Sequence, residues 1–123
     1  MLLAIDIGNT NTVFAVYKKD KLLNSWRLRS DARTSADEYA AFLNELFAIA
    51  GVKWKSIDKV IVSSVVPDAN FGMRGFCQKY VGVEPVFVTK DMVEIAAIID
   101  RPEEIGADRL VNAVAVKAHY QFP

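Results

Sequence analysis

From Leu2 to Ile7 the chain is apolar on both faces until Asp6 interrupts it, the pattern of a strand buried in the middle of a sheet. Val13 to Tyr17 is a second apolar run, and Gly8-Asn9-Thr10-Asn11 between them is turn-forming, so the stretch predicts a β-hairpin. After the polar Lys18-Lys19-Asp20-Lys21, Leu22 to Arg29 alternates, with Trp26 and Leu28 on one side and Arg27 and Arg29 on the other. That alternation predicts a half-buried third strand near a sheet edge, antiparallel to the second. Ser30 to Thr34 reads as a loop. The period then changes. Tyr39, Phe42, Leu43, Leu46, Phe47 and Ala50 recur at helical spacing, behind the capping-box pattern of Ser35 and Glu38 and ahead of Gly51. Lys59 to Val65 is a short β-branched strand, expected to run parallel to the first. Val66-Pro67-Asp68 opens a weaker helix through Met73, Phe76, Cys77 and Tyr80, in which Gly72 and Gly75 each cost about 1 kcal/mol relative to Ala. Pro85 to Val88 is another strand, and 93–99 is ambiguous between helix and strand. Arg101-Pro102-Glu103-Glu104 reads as a turn, and a small-residue, mostly apolar helix follows from Gly106 to Ala118.

The order is thus βββαβαβα: an α/β domain with a five-stranded mixed sheet and helices on both faces. The 123 residues are enough for one domain with its own core. Fifteen basic and fifteen acidic residues cancel, so no overall field draws the chain to nucleic acid or membrane. Cys77 is the only cysteine and His119 the only histidine, which argues against a disulfide, a cysteine-based metal site or histidine catalysis. Asp6 breaks the first apolar run and no basic segment precedes it, so no signal peptide is expected. No run approaches a membrane span, and a cytoplasmic protein is the default expectation.

Two segments carry candidate chemistry. A turn rich in backbone N–H groups suits phosphate oxygens, and Gly8 to Asn11 consists of residues that tolerate tight or positive-φ backbone. A carboxylate beside phosphate repels it unless a divalent cation takes oxygens from both. Asp6 followed by Gly8, Asn9 and Thr10 therefore reads as a nucleotide-phosphate and Mg²⁺ site, although the same residues would also make an ordinary hairpin tip. Ser63 and Ser64 end a strand where α/β sheets gather ligands, but they read more naturally as turn formers. Gly106-Ala107-Asp108-Arg109 places an acid and a base in the first turn of the last helix. Asp108 could simply favour the helix N-terminus. It could equally accept the proton of an attacking hydroxyl while Arg109 holds an anionic group with its two-pronged fork. Phosphoryl transfer tolerates so weak a base, because its transition state is loose and catalysis is mainly positioning and charge neutralisation.

The strand and helix order resembles the ribonuclease H-like layout of actin-like ATPases and of acetate and sugar kinases, whose ATP site lies in a cleft between two such domains. Asp6-Ile7-Gly8-Asn9-Thr10, Ser64-Val65-Val66-Pro67 and Gly106-Ala107-Asp108-Arg109 together closely resemble type III pantothenate kinase. Trp26-Arg27 and Asp37-Glu38-Tyr39 look like the same pattern. The resemblance implies ATP-dependent phosphorylation of the primary hydroxyl of pantothenate, the first step toward coenzyme A. It implies ATP binding by Asp6, Ile7, Gly8, Asn9, Thr10, Asn11, Thr12 and Val13, with Asp6 also at the metal. Gly106, Ala107, Asp108 and Arg109 would bind pantothenate, with Asp108 as base. The expected cofactors and partners are ATP, Mg²⁺, a monovalent cation (K⁺ or NH₄⁺) and a second copy in a homodimer. Residues 1–123 would then be the N-terminal actin-like ATPase domain of a two-domain kinase, inactive without the C-terminal domain. Ile99 stands where many relatives carry a substrate-facing tyrosine. Relatives have also been labelled transcriptional activators of the Baf type; the absence of a helix-turn-helix signature and the balanced charge argue against that. Another small-molecule kinase of the same superfamily is the remaining alternative.

Overall fold

A computed structural model describes residues 1–19 and 21–88. Its strands are β1 (Leu2–Ile7), β2 (Asn11–Lys18), β3 (Lys21–Arg29), β4 (Lys59–Ser64) and β5 (Val86–Val88), and its α-helices are α1 (Ala36–Ala50) and α2 (Asn70–Phe76). The sheet order is β3-β2-β1-β4-β5, with β1 in the centre. β1 runs antiparallel to β2 and parallel to β4; β3 is antiparallel to β2 and β5 parallel to β4. The five-stranded mixed sheet and its edge strand β3 are as expected. The strand or helix expected in 93–99, the turn at 101–104, the helix at 106–118, His119 and the Gly106–Arg109 segment lie outside the described residues.

β1 is central because it is apolar in both directions. Leu3, Ile5 and Ile7 project into one core with Phe14, Val16, Val60 and Val62, and α1 and α2 cover that face through Tyr39, Leu43, Phe47, Met73 and Phe76. Leu2, Ala4, Val13, Ala15, Tyr17 and Ile61 are buried as well but stand outside that cluster. Both described helices therefore serve one face.

α1 begins as its sequence dictates: Ser35 Oγ accepts from the Glu38 N–H, and the Glu38 carboxylate accepts from the Ser35 N–H. Gly51 ends it in the left-handed conformation, with φ 76°. Rings then knit the layer together. Phe47 lies 5.4 Å from Trp26 on β3 and 4.7 Å from Trp54 in the connection, and Tyr39 lies 6.1 Å from Phe14 and 6.0 Å from Phe76, centroid to centroid.

The weaker helix is a composite. A 3₁₀ turn (Pro67–Ala69) leads into α2, and a π-helical turn (Cys77–Val81) follows, ending at Gly82 with φ 77°. Met73, Phe76 and Cys77 are all fully buried, and burial pushes the Cys77 thiol from 9.0 up to about 12, as befits a core residue rather than a nucleophile.

The two glycines of α2, alike in sequence, differ in space. A Cβ on Gly72 would stand 2.6 Å from the Thr34 carbonyl oxygen, whereas one on Gly75 would meet only the Ala36 methyl at 3.6 Å. Gly72 is required for the close approach of α2 to the loop after β3. Accordingly, Gly72→Ala should destabilise the fold by roughly 1–3 kcal/mol, the usual cost of forced overpacking. Gly75→Ala should be neutral or stabilising by up to about 1 kcal/mol. Denaturant midpoints of the two variants test this, and equal midpoints would contradict it.

Candidate functional site

β1 delivers Asp6 to the carboxyl end of the sheet, where its register partners are Val13 on β2 and Ser63 on β4. Directly paired positions project to the same face. Asp6 is therefore half-buried on the face that α1 and α2 leave uncovered, and Ile7, Thr12 and Ser64 point the other way. The same row continues to Arg27 on β3, and Arg29 pairs with Asn11, so two arginines share the carboxylate's face of the sheet.

The turn itself is held through its carbonyl oxygens. Gly8 N–H donates to the Asn11 carbonyl at 2.9 Å, and Val65 N–H donates to that of Ile7 at 3.0 Å. Ser30, the first residue past β3, takes the next two. Its Oγ donates to the Gly8 carbonyl at 2.6 Å and its N–H to the Thr10 carbonyl at 2.8 Å. Its Oγ also lies 2.9 Å from Thr12 Oγ1. A carbonyl oxygen carries partial negative charge, so a phosphate-binding turn must keep its carbonyls occupied and its N–H groups outward. Four of the carbonyls between Ile7 and Asn11 are engaged by protein donors, and Asn9 and Thr10 at the tip are exposed.

Of the two reasons the sequence offers for Gly8, a tight backbone or a positive φ, the structure shows the first. Among the described residues only Lys19, Gly51 and Gly82 have positive φ. A Cβ on Gly8 would come within 3.1 Å of the Asn11 carbonyl oxygen, so close approach of the two turn limbs is what requires glycine.

The expected ATP-binding residues divide by location. Asp6, Gly8, Asn9, Thr10 and Asn11 form the accessible rim. Ile7 and Val13 are buried, and Thr12 is only 1% exposed with its hydroxyl turned to Ser30. Ser64 is a turn former: its Oγ accepts from the Val66 N–H and donates to the Val66 carbonyl, both at 3.1 Å. Gly106, Ala107, Asp108 and Arg109 lie outside the described residues. In the sequence Ser30 is merely the start of a loop. The signal was available in hairpin arithmetic, because a strand antiparallel to β2 must end beside the turn where β2 begins.

Among the described residues no cluster of three or more His, Cys, Asp or Glu could hold a metal by itself, and no helix is long and apolar enough to cross a membrane. A divalent cation at Asp6 would therefore need oxygens from its ligand, as a phosphate-bridging Mg²⁺ does.

Comparison with solved structures identifies the fold. A Thermus thermophilus ROK hexokinase superposes with a TM-score of 0.59 at 14% identity, over 79% of this chain and 37% of that one. A Thermus thermophilus RuvC in complex with a Holliday junction substrate superposes at 0.60 and 18%, over 98% of this chain and 95% of that one. The ribonuclease H-like, actin-like layout is common to the set. In sequence, a type III pantothenate kinase of Paramagnetospirillum magneticum is 46% identical over 100% of this chain and 48% of its own length. Those of Rhodospirillum rubrum and Halalkalibacterium halodurans are 45% and 42% identical over the whole chain. The chain spans about half the length of the curated relatives it matches. The type III pantothenate kinase family matches residues 2–123, and the chain belongs to that family.

Proposed function

We propose that this chain forms the N-terminal half of an enzyme that phosphorylates pantothenate with ATP, opening the route to coenzyme A. The single observation that carries the reading is the β1–β2 turn, its carbonyls held by protein donors and its tip exposed beside the half-buried Asp6. The chemistry fits a hard cation: a carboxylate whose coordination is completed by phosphate oxygens of the ligand would suit Mg²⁺. When bound there, Mg²⁺ would neutralise the repulsion between Asp6 and the phosphates and the charge that builds on the leaving group.

The turn's role is then to receive the phosphates of ATP through the backbone N–H groups of its exposed tip, Asn9 and Thr10, and to fix their direction. Asp108 orients the primary hydroxyl of pantothenate, and Arg109 steadies its carboxylate. The hydroxyl oxygen forms a bond to the γ-phosphorus as the bond to the β–γ bridging oxygen breaks. Asp108 collects the hydroxyl proton late, and ADP leaves. The second half of the relatives' length would supply the other wall of the cleft. A homodimer, a requirement for K⁺ or NH₄⁺ and a cytoplasmic setting belong to the same proposal and rest on the family resemblance. Pantothenate is preferred to another small alcohol because the matching relatives carry that name across the whole of this chain.

Two substitutions in the full-length kinase separate the two parts of the site. Asp6→Asn should raise the Mg²⁺ and ATP concentrations needed for half-maximal rate, and an unchanged metal dependence would contradict the phosphate site. Asp108→Asn should leave nucleotide binding intact and lower turnover by roughly 10²-fold or more, the scale of lost acid–base assistance. Near-normal turnover would reduce Asp108 to a helix-terminal charge.

A further inference from the structure

We propose that Ser30 is a positioning residue for the phosphate turn, a clasp that sets the turn's carbonyls away from ATP. The proposal rests on the reading of that turn as the phosphate site.

One side chain and one N–H from Ser30 engage two turn carbonyls, those of Gly8 and Thr10. A serine hydroxyl has a single proton, and the 2.6 Å contact with the Gly8 carbonyl, which can only accept, uses it. The 2.9 Å contact with Thr12 must then run the other way, Thr12 Oγ1 donating to Ser30 Oγ. The direction of the whole relay is fixed: Thr12 hydroxyl to Ser30 hydroxyl to Gly8 carbonyl. With its proton committed, and only 1% of its surface exposed, the Thr12 side chain serves as a strut beneath the turn rather than as a phosphate donor. The relay joins β2, the end of β3 and the β1–β2 turn. Released from Ser30, the Gly8 carbonyl would be free to rotate toward the ligand, placing a negative dipole where phosphate must sit. The penalty would fall on ATP and spare pantothenate.

The test is steady-state kinetics on the full-length kinase, varying ATP and pantothenate separately. Ser30→Ala should raise the KM for ATP by about 10-fold, the scale of one lost hydrogen bond, and leave the pantothenate KM unchanged. Ser30→Thr, which keeps the hydroxyl, should restore it. Should Ser30→Ala not fold, Ser30→Cys keeps the shape with a weak donor and should show the same selective rise. An unchanged ATP KM in the variant, or parallel rises for both substrates that threonine does not rescue, would overturn the proposal. Asp6→Asn measured alongside separates the two levels. If it weakens Mg²⁺-ATP while the Ser30 variants do not, the clasp alone is wrong. If neither does, the phosphate reading falls and the clasp with it.

Discussion

A strand buried on both faces can carry a carboxylate only where the sheet ends, and that constraint organises this domain. Burying an unpaired charge costs far more than any single contact returns. β1 accordingly holds apolar residues along its length and places Asp6, its only charged side chain, at its penultimate position. The parallel neighbour β4 and the antiparallel neighbour β2 end or begin at the same level, so Asp6, Ser63 and the turn come together there. The position of the candidate chemistry is a consequence of where desolvation becomes tolerable.

The turn beside that carboxylate shows how a few neutral hydrogen bonds can determine what a backbone presents to a ligand. None of the bonds from Ser30, Val65 or Gly8 is worth more than about 1 kcal/mol to stability. Their combined effect is directional: each holds a partial negative charge against the protein. Phosphate recognition by backbone depends on that sorting of carbonyl from N–H, since the two alternate along every chain.

Much of this was legible in the residues. The buried run before Asp6, the alternation of Trp26 and Leu28 with Arg27 and Arg29, and the Ser35–Glu38 capping box are short-range patterns whose physics is local. They predicted β1, β3 and α1 with bounds close to those observed. What depends on distance in space was not legible. Gly72 and Gly75 carry equal helical penalties in sequence, yet only Gly72 lies against another backbone. Gly8 read as tolerating a tight or a positive-φ backbone, and only the structure shows that tightness, a contact across the turn, is what applies. Ser30 lies 22 residues from Gly8; no local pattern marks it, and only the antiparallel pairing of β3 with β2 could have placed it beside the turn.

The chain spans about half the length of the curated relatives it matches, and the function proposed for it needs the other half as well. Asp6 stands at the carboxyl end of β1, on the face opposite α1 and α2. We propose that Asp6 and Asp108 act on a single bound triphosphate and its acceptor. A crystal structure of the full-length protein with Mg²⁺, a non-hydrolysable ATP analogue and pantothenate tests it most directly. We expect metal between Asp6 and the phosphates, the backbone N–H groups of Asn9 and Thr10 at the exposed tip on the phosphate oxygens, and Asp108 on the pantothenate hydroxyl. Phosphates bound away from this turn, or the two carboxylates turned to opposite sides of the molecule, would contradict it.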